Sequence, residues 1–243
     1  MTRPFRERIA RSAEAKKSPI VLALDPRADR HNLSEFAAKT IHVVEQHICA
    51  VKMNFHIILP LSASEISQIN KLAHSFGLQS IADIKLNDIE NTNEVAVEHL
   101  TRMGFDAVIA NPFIGKAGLA ALVQKAHRAS AGVIALVYMS HPGAIEGFGL
   151  EFGGRGLYEE FLVRAADARV DGIVVGATQL DILTHTAKQL PIYSPGIGAQ
   201  GGDAVKAFSS GADYLIIGRS IVESRWPAKV AKEIQNKILS VRK

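Results

Sequence analysis

The chain of 243 residues contains one cysteine, Cys49, one tryptophan and only 6% aromatic residues. A lone cysteine cannot close an intrachain disulfide, which sets aside disulfide-stapled scaffolds and fits a reducing compartment. Cys49 sits in an apolar run and is read as a core residue. Long hydrophobic runs are also missing. The longest clean one, Val133 to Met139, is far short of the roughly 20 residues that a membrane-spanning helix needs. The start, Met1 to Glu7, has no apolar segment of the signal-peptide kind. The expectation is a soluble, cytoplasmic protein with no membrane contact. No H-x-x-H, C-x-x-C or close Asp/His set with ligand spacing occurs, so no metal site is expected.

What is present is globular: 47% hydrophobic and 21% charged residues supply ample material for a core. The net charge of +4 is uneven. Residues 1–17 carry Arg3, Arg6, Arg8, Arg11, Lys16 and Lys17 against Glu7 and Glu14. Residues 225–243 carry Arg225, Lys229, Lys232, Lys237, Arg242 and Lys243 against Glu233, so the middle of the chain is net acidic. Basic ends can mark a nucleic-acid surface. Here no aromatics interleave with the charges and no binding motif accompanies them. Solvated helix faces account for them better, and no nucleic-acid partner is expected.

Apolar, β-branched runs alternate with segments of helical spacing. The expected strands are Ile20–Leu24, Cys49–Met53, Ile81–Lys85, Ala107–Asn111, Val133–Met139, Gly172–Ala177, Ile192–Ser194 and Tyr214–Gly218. Between and after them, helices are expected at Leu33–Gln46, Ala63–Phe76, Asn91–Met103, Gly115–Ser130, Leu157–Ala168, Gln179–Gln189, Asp203–Ser210 and Ala228–Leu239. Eight β/α repeats imply an α/β fold of the (β/α)8 TIM-barrel type, one domain over residues 1–243 with an extra helix near residues 3–16. A doubly wound open sheet is the alternative, but its G-x-G-x-x-G is absent behind the first strand. No linker-like stretch marks a domain boundary. The glycine-rich segment His141 to Gly156 is expected to be a mobile loop, with no chemical role to assign to Phe148 or Phe152.

A barrel places its active residues where strands end. Polar residues stand at each expected exit: Asp25; Lys52 and Asn54; Asp83 and Lys85; Asn111; Ser140 and His141; Thr178; Ser194; Arg219. None is expected at the strand beginnings, which argues for a polar site at one mouth. The densest group is Asp83-Ile84-Lys85-Leu86-Asn87-Asp88, followed by Asn91 and Thr92. Strand alternation points Asp83 and Lys85 to the same side, with Ala82 and Ile84 on the other. A lone D-x-K is usually a structural ion pair. A lysine held between Asp83 and Asp88, however, stays protonated and can donate a proton. After the seventh strand comes Pro195-Gly196-Ile197-Gly198-Ala199-Gln200-Gly201-Gly202-Asp203, and after the eighth Gly218-Arg219-Ser220. Glycines bring backbone N–H groups close to an anion, a helix start adds a favourable dipole, and Arg219 offers a forked donor. Loops after strands seven and eight are where this fold most often holds phosphate.

With Asp83-x-Lys85-x-x-Asp88, Leu24-Asp25, Val51-Lys52, Met139-Ser140-His141-Pro142-Gly143, Ser194 to Gly202 and Ile217-Gly218-Arg219 in order, the chain resembles the orotidine 5′-phosphate decarboxylase family, especially its short archaeal form. The resemblance runs from Leu22 to Arg219. It implies a cofactor-free carboxy-lyase that converts orotidine 5′-monophosphate to UMP, the last step of pyrimidine nucleotide synthesis. In that scheme Lys85 protonates C6, Asp83 lies beside the substrate carboxylate, and Lys52 bridges Asp83 and the ribose. Asp25 binds a ribose hydroxyl and Ser140 reads the pyrimidine edge. Gln200 and Arg219 hold the phosphate, with Pro195 and Gly218 in the same loops. Asp88 and Thr92 are implied to reach the neighbouring site of a homodimer. Two rivals stand beside this reading. The related Mg²⁺-dependent sugar-phosphate branch carries a metal-binding glutamate where this chain has Lys52. A non-catalytic nucleotide or sugar-phosphate binder would not need Lys52, Asp83, Lys85 and Asp88 intact.

Overall fold

Side chains along a strand alternate between faces, and here that alternation sorts the apolar residues into two cores. In the computed structural model Val21, Ala50, Ile81, Ala107, Ile109, Ile134, Leu136, Val174, Tyr193, Tyr214 and Ile216 pack together, while Ile20, Leu22, Val51, Met53, Ala82, Val133 and Ala135 belong to a second cluster with the helices. Strands covered on both faces are the reason the sequence shows continuous apolar runs. The structure describes residues 3–27, 29–198 and 200–241. Ala199 of the loop after the seventh strand, and Arg242 and Lys243 of the basic C-terminus, lie outside the described residues, as does the side chain of Phe152.

Eight parallel strands close into a barrel in which each pairs with its sequence neighbours and the first pairs with the last. Numbered in order they are β1 (Ile20–Ala23), β2 (Ala50–Asn54), β3 (Gln79–Leu86), β4 (Ala107–Ala110), β5 (Gly132–Tyr138), β6 (Gly172–Val175), β7 (Ile192–Ser194) and β8 (Tyr214–Ile217). Helices Leu33–Val44, Ala63–Ser75, Glu90–Arg102, Gly115–Arg128, Leu157–Ala168, Leu180–Thr186, Ala204–Ser209 and Pro227–Val241 follow them in turn. The second of these opens with a full capping box between Ser62 and Glu65. All expected elements are present, displaced by one to three residues at several ends, most at the helix expected to reach Gln189, which stops at Thr186.

The extra helix, Phe5–Lys16, closes the N-terminal end of the barrel. Phe5 and Ile9 are buried in the interior cluster. Gly132 makes room for Phe5: a Cβ there would lie 2.4 Å from the ring. Ser12 Oγ donates to the Cys49 carbonyl at 2.7 Å, and Arg8 donates to Gln79, Asp106 and the Ser130 carbonyl. Tyr193 and Tyr214 stack at 4.6 Å and fill the same floor.

The strand beginnings are not free of polar residues. Asp106, Asp171 and Asp213 precede β4, β6 and β8, and each accepts a backbone N–H near the start of the preceding odd strand: Ser80, Val133 and Ile192, at 2.8, 2.9 and 2.8 Å. Before β2 the equivalent place is held by buried Cys49, whose thiol donates to the Ile20 carbonyl at 3.3 Å. These carboxylates satisfy backbone groups at the barrel floor, and two of them also meet a histidine, His74 and His127. The segment after β5 is also more ordered than expected. It forms a turn at Pro142–Ala144, a short helix Ile145–Phe148 and a two-stranded hairpin, Glu151–Phe152 with Arg155–Gly156. Phe148 packs edge-on against Phe161 and tilted on Tyr138, which supplies its missing role.

His127 Nε2 lies 2.9 Å from Asp171 Oδ2, and that hydrogen bond raises the histidine pKa against a smaller opposing effect of burial. A raised folded-state pKa contributes stability that is complete below the unfolded value, about 6.5, and disappears as pH rises through the folded one. His127→Gln should therefore lower Tm more at about pH 5.5 than at about pH 9. Thermal melts of both proteins across that range test this; a gap independent of pH would refute it.

Candidate active site

At the C-terminal ends of the strands a cleft of ≈ 260 Å³ opens into the barrel mouth. Its floor is the top apolar layer of the interior, including Ala23, Ile109, Leu136, Val174 and Ile216. Its polar wall carries Asp25, Lys52, Asn54, Asp83, Lys85, Ser140, His141, Gln200 and Arg219, with Pro195 and Gly218 beside them. Eleven separate sequence positions thus converge on one space.

Lys52 and Asp83 come from adjacent strands and Lys85 from the same strand as Asp83. Lys52 Nζ donates to Asp83 Oδ2 at 2.7 Å and Lys85 Nζ to Asp83 Oδ1 at 2.7 Å, so one carboxylate holds two ammonium groups. Lys52 Nζ also lies 4.0 Å from Asp25 Oδ1. The Lys52 side chain is 4% exposed and Asp83 10%, whereas Lys85 is 38% exposed and faces the cleft. Burial opposes the charge on Lys52, but Asp83 and then Asp25 outweigh it and hold its pKa above the ordinary lysine value. Burial likewise pushes the Asp83 carboxyl up, and Lys52 and Lys85 together bring it below the usual range. Both shifts favour the charged forms.

The shared direction of Asp83 and Lys85 is that of strand alternation, but the backbone between them is not regular. Ala82 pairs with Val108 and Leu86 with Ala110, so β3 advances four residues while β4 advances two. Lys85 takes up this bulge at φ +46°, a left-handed conformation that costs a residue with a Cβ roughly 1–2 kcal/mol. The bulge tips the lysine into the mouth, as bulges beside active sites commonly do.

The phosphate-type loop is tightly wound. Gly198 N–H donates to the Gly202 carbonyl at 2.8 Å and Gly202 N–H to the Gly196 carbonyl at 3.0 Å. Gly196 sits at φ +95°, and a Cβ there would come 2.6 Å from Ser140 Cβ and 2.8 Å from Gln200 Oε1. Glycine therefore permits the contact across the cleft in which Ser140 Oγ donates to Gln200 Oε1 at 2.5 Å. The helix start behind the loop is already occupied. Asp203 Oδ1 accepts the Lys206 N–H at 2.8 Å, so the dipole there meets a protein carboxylate rather than a ligand. Arg219 is exposed on the cleft and makes no ion pair among the described residues.

Not every strand-exit residue belongs to this space. Asn111 accepts the Phe113 N–H at 3.0 Å, buried Ser194 donates to the Val175 carbonyl at 2.8 Å, and Thr178 donates to the Ser140 carbonyl at 3.2 Å. These three hold backbone. Asp88 and Thr92 are exposed outside the cleft. Asp88 accepts the Ile89 N–H at 2.6 Å and forms no ion pair among the described residues, so within one chain it does not flank Lys85. Buried Asn93 fixes the Asp88 backbone from both sides, at 2.6 and 3.2 Å. The apolar floor was not singled out by sequence; inward parity on β4, β5, β6 and β8 was the available signal.

Breaking a buried ion pair by removing one partner costs roughly 3–5 kcal/mol, because the remaining charge stays buried. Lys52→Met should thus destabilise the protein by about 3 kcal/mol, with Lys85 limiting the loss. Lys52→Met/Asp83→Leu should recover at least half of it while leaving the site inactive. Denaturant unfolding of both variants measures this; a double variant less stable than the single one would refute it.

Comparison with known proteins agrees with this geometry. Residues 18–234 match the model of the Orotidine 5′-phosphate decarboxylase / HUMPS family. Orotidine 5′-phosphate decarboxylase of Methanosarcina barkeri is 36% identical over 227 residues, 92% of this chain and 96% of the relative. Orotidine 5′-monophosphate decarboxylase of Methanocaldococcus jannaschii, solved with the inhibitor BMP, superposes with a TM-score of 0.78 at 28% identity, covering 90% of this chain and 97% of that one. Leishmania donovani UMP synthase shares the fold more closely, with a TM-score of 0.89 at 24% identity; the match covers 99% of this chain and 57% of that longer one. The family match extends across the barrel and the positions that build the cleft, and the chain belongs to the orotidine 5′-phosphate decarboxylase / HUMPS family.

Proposed function

We propose that this chain, as one domain, decarboxylates orotidine 5′-monophosphate to UMP without a cofactor. The observation that carries this is the Lys52–Asp83–Lys85 arrangement at the mouth of the barrel, two ammonium groups on one buried carboxylate at 2.7 Å each. In the reaction the bond from C6 to the carboxylate carbon breaks, CO₂ leaves, and the electron pair remaining at C6 takes a proton. Lys85, the more exposed of the two lysines, faces the cleft and delivers that proton. Asp83 holds it in place and lies where the departing carboxylate is bound, while Lys52 keeps Asp83 ionised. The apolar floor excludes water beneath the ring, and Ser140, tied to Gln200, presents a hydroxyl to the pyrimidine edge. Asp25 takes a ribose hydroxyl. Arg219, Gln200 and the Pro195 and Gly218 loops take the phosphate, a remote contact whose binding energy can support positioning at C6.

Lys52 also bears on the metal-dependent branch of the family. Its ammonium occupies the mouth between Asp25 and Asp83, and a divalent cation placed there would meet a like charge.

The homodimer reading rests on exposed apolar side chains around Asp88 and Thr92. Phe55 and Leu59 after β2, Ile89 after β3, Val95 on the helix Glu90–Arg102 and Phe113 after β4 share neighbouring sectors of the rim, with Leu59 75% and Ile89 72% exposed. A second copy covering this rim would carry Asp88 and Thr92 toward the adjoining cleft. A cytoplasmic enzyme of nucleotide synthesis fits these features. No helix among the described residues is long and apolar enough to cross a membrane.

The direct test is the ultraviolet absorbance of orotidine 5′-monophosphate mixed with the protein in excess EDTA. The band should disappear at a catalytic rate, and Lys85→Ala should slow this by about 10²–10⁴-fold or more while preserving the fold. No change, followed by Mg²⁺-dependent turnover of a sugar phosphate, would reassign the chain to the other branch. Tight nucleotide binding without turnover in either assay would make it a binding protein. The dimer is tested with Ile89→Lys, which should halve the mass seen by light scattering and reduce turnover; an unchanged mass would refute the proposed rim contact.

A further inference from the structure

One side chain on the helix Glu90–Arg102 is polar where the helical period calls for an apolar residue. Asn93, Val97 and Leu100 form its buried stripe, with Asn93 1% exposed. Burying a carboxamide is costly unless its donor and its acceptor are both used. Asn93 uses both on a single residue: Nδ2 donates to the Asp88 carbonyl at 2.6 Å, and Oδ1 accepts the Asp88 N–H at 3.2 Å. This is not helix capping. The N-cap position is Ile89, where no side chain caps the helix, and Asp88 precedes it.

Asp88 lies in the gap between two regular elements. β3 ends at Leu86 and the helix begins at Glu90, so neither a strand ladder nor the helix serves its backbone groups. The Asn93 carboxamide, which carries a donor and an acceptor as a peptide group does, stands in for a neighbouring strand. The turn it holds is the exit of the β3 bulge. Before the bulge Ala82 is fixed against Val108. After it Leu86 is fixed against Ala110, and its carbonyl accepts the Asn111 N–H at 2.9 Å. Between them Lys85 keeps its left-handed backbone at φ +46°. A residue with a Cβ stays in such a conformation only where the surroundings over-determine it. Beyond Leu86, Asp88 is the next fixed point along the chain.

We propose that Asn93 is a positioning residue for the reaction: by clamping the Asp88 backbone it holds the outgoing end of the bulge, and with it the aim of the Lys85 ammonium into the cleft. This rests on the decarboxylase reading, in which Lys85 delivers the proton, and adds to it a residue that acts through Lys85. Asn93 is not among the residues that line the cleft. Without the clamp the Asp88 backbone groups turn to water, the exit of the bulge loosens, and Lys85 relaxes toward ordinary extended backbone. In a strand a slip of one place turns a side chain to the other face, so a relaxed bulge takes the ammonium away from the reacting carbon. A displacement of about 1 Å at a reacting group is enough to cost on the order of a hundredfold in rate.

The experiment measures two quantities in the wild type and in Asn93→Ala, at a temperature where melts show both fully folded. One is the single-turnover rate for orotidine 5′-monophosphate with protein in excess. The other is the Kd for UMP, which lacks the departing carboxylate and does not depend on proton delivery. Asn93→Ala should slow the single turnover roughly ten- to hundredfold and weaken UMP binding by less than about threefold. A residue that served stability alone would lower Tm and leave both quantities of the folded protein unchanged. A rate within about threefold of wild type, or a parallel fall in rate and UMP affinity, would overturn the assignment. Asn93→Ser, whose hydroxyl can serve one of the two Asp88 groups, is read by the same pair of measurements with a smaller expected loss of rate, so the result does not hang on the folding of one variant. The wild type separates the two levels of the claim. Absence of any turnover by it would overturn the decarboxylase reading and this inference together, whereas wild-type turnover with an unaltered rate in both variants would overturn only the role of Asn93.

Discussion

The rest of the site depends on one carboxylate that is shared by two lysines. Asp83 is nearly buried, and alone it would take up a proton or be expelled; Lys52 alone would lose its proton or be expelled. Together, with Lys85 on the second oxygen, they stay charged in a place where water is scarce. Their mutual attraction does little for net stability, since desolvation offsets most of it. Its effect is placement. A charge pattern fixed in advance at the barrel mouth does not have to reorganise when a substrate with its own carboxylate arrives, and that is the condition under which electrostatics contributes most to catalysis.

Holding that pattern requires a rigid frame below it. The interior is packed in layers, with Phe5, Ile9, Tyr193 and Tyr214 toward the floor and Ile109, Leu136, Val174 and Ile216 beneath the cleft. Carboxylates at the floor secure backbone N–H groups of alternate strands, and the N-terminal helix caps the opening with Arg8 bonded to β3 and to the segments leading into β4 and β5. Polar residues thus occupy both ends of the barrel for different reasons. At the floor their partners are backbone groups and histidines of the same chain. At the mouth several keep unused donors or acceptors, and this difference, rather than polarity itself, separates a site from a structural network.

Much of this was legible beforehand. Eight alternating segments implied the barrel, the barrel rule placed Asp25, Lys52, Asp83, Lys85, Ser140 and Arg219 at one mouth, and the family resemblance added Gln200; all seven line the cleft. Where the reading fell short, the cause was local. The glycine-rich segment after β5 looked mobile because its glycines were counted and its apolar contacts were not; Phe148 on Tyr138 and Phe161 orders it. Asn111, Thr178 and Ser194 looked like site residues because they end strands, but each is spent on a backbone group.

The sequence by itself determined the period: strands with one residue in two facing inward, helices between them, and hence which charged residues could share a face. Those properties follow from local geometry and need no knowledge of neighbours. Only the tertiary structure decided which of those charges meet. The distance between Lys52 and Asp83, thirty-one positions apart in sequence, depends on strand register. The aim of Lys85 depends on a bulge defined by the pairing of β3 with β4. Each is a relation between distant segments, and it exists only once the barrel has closed.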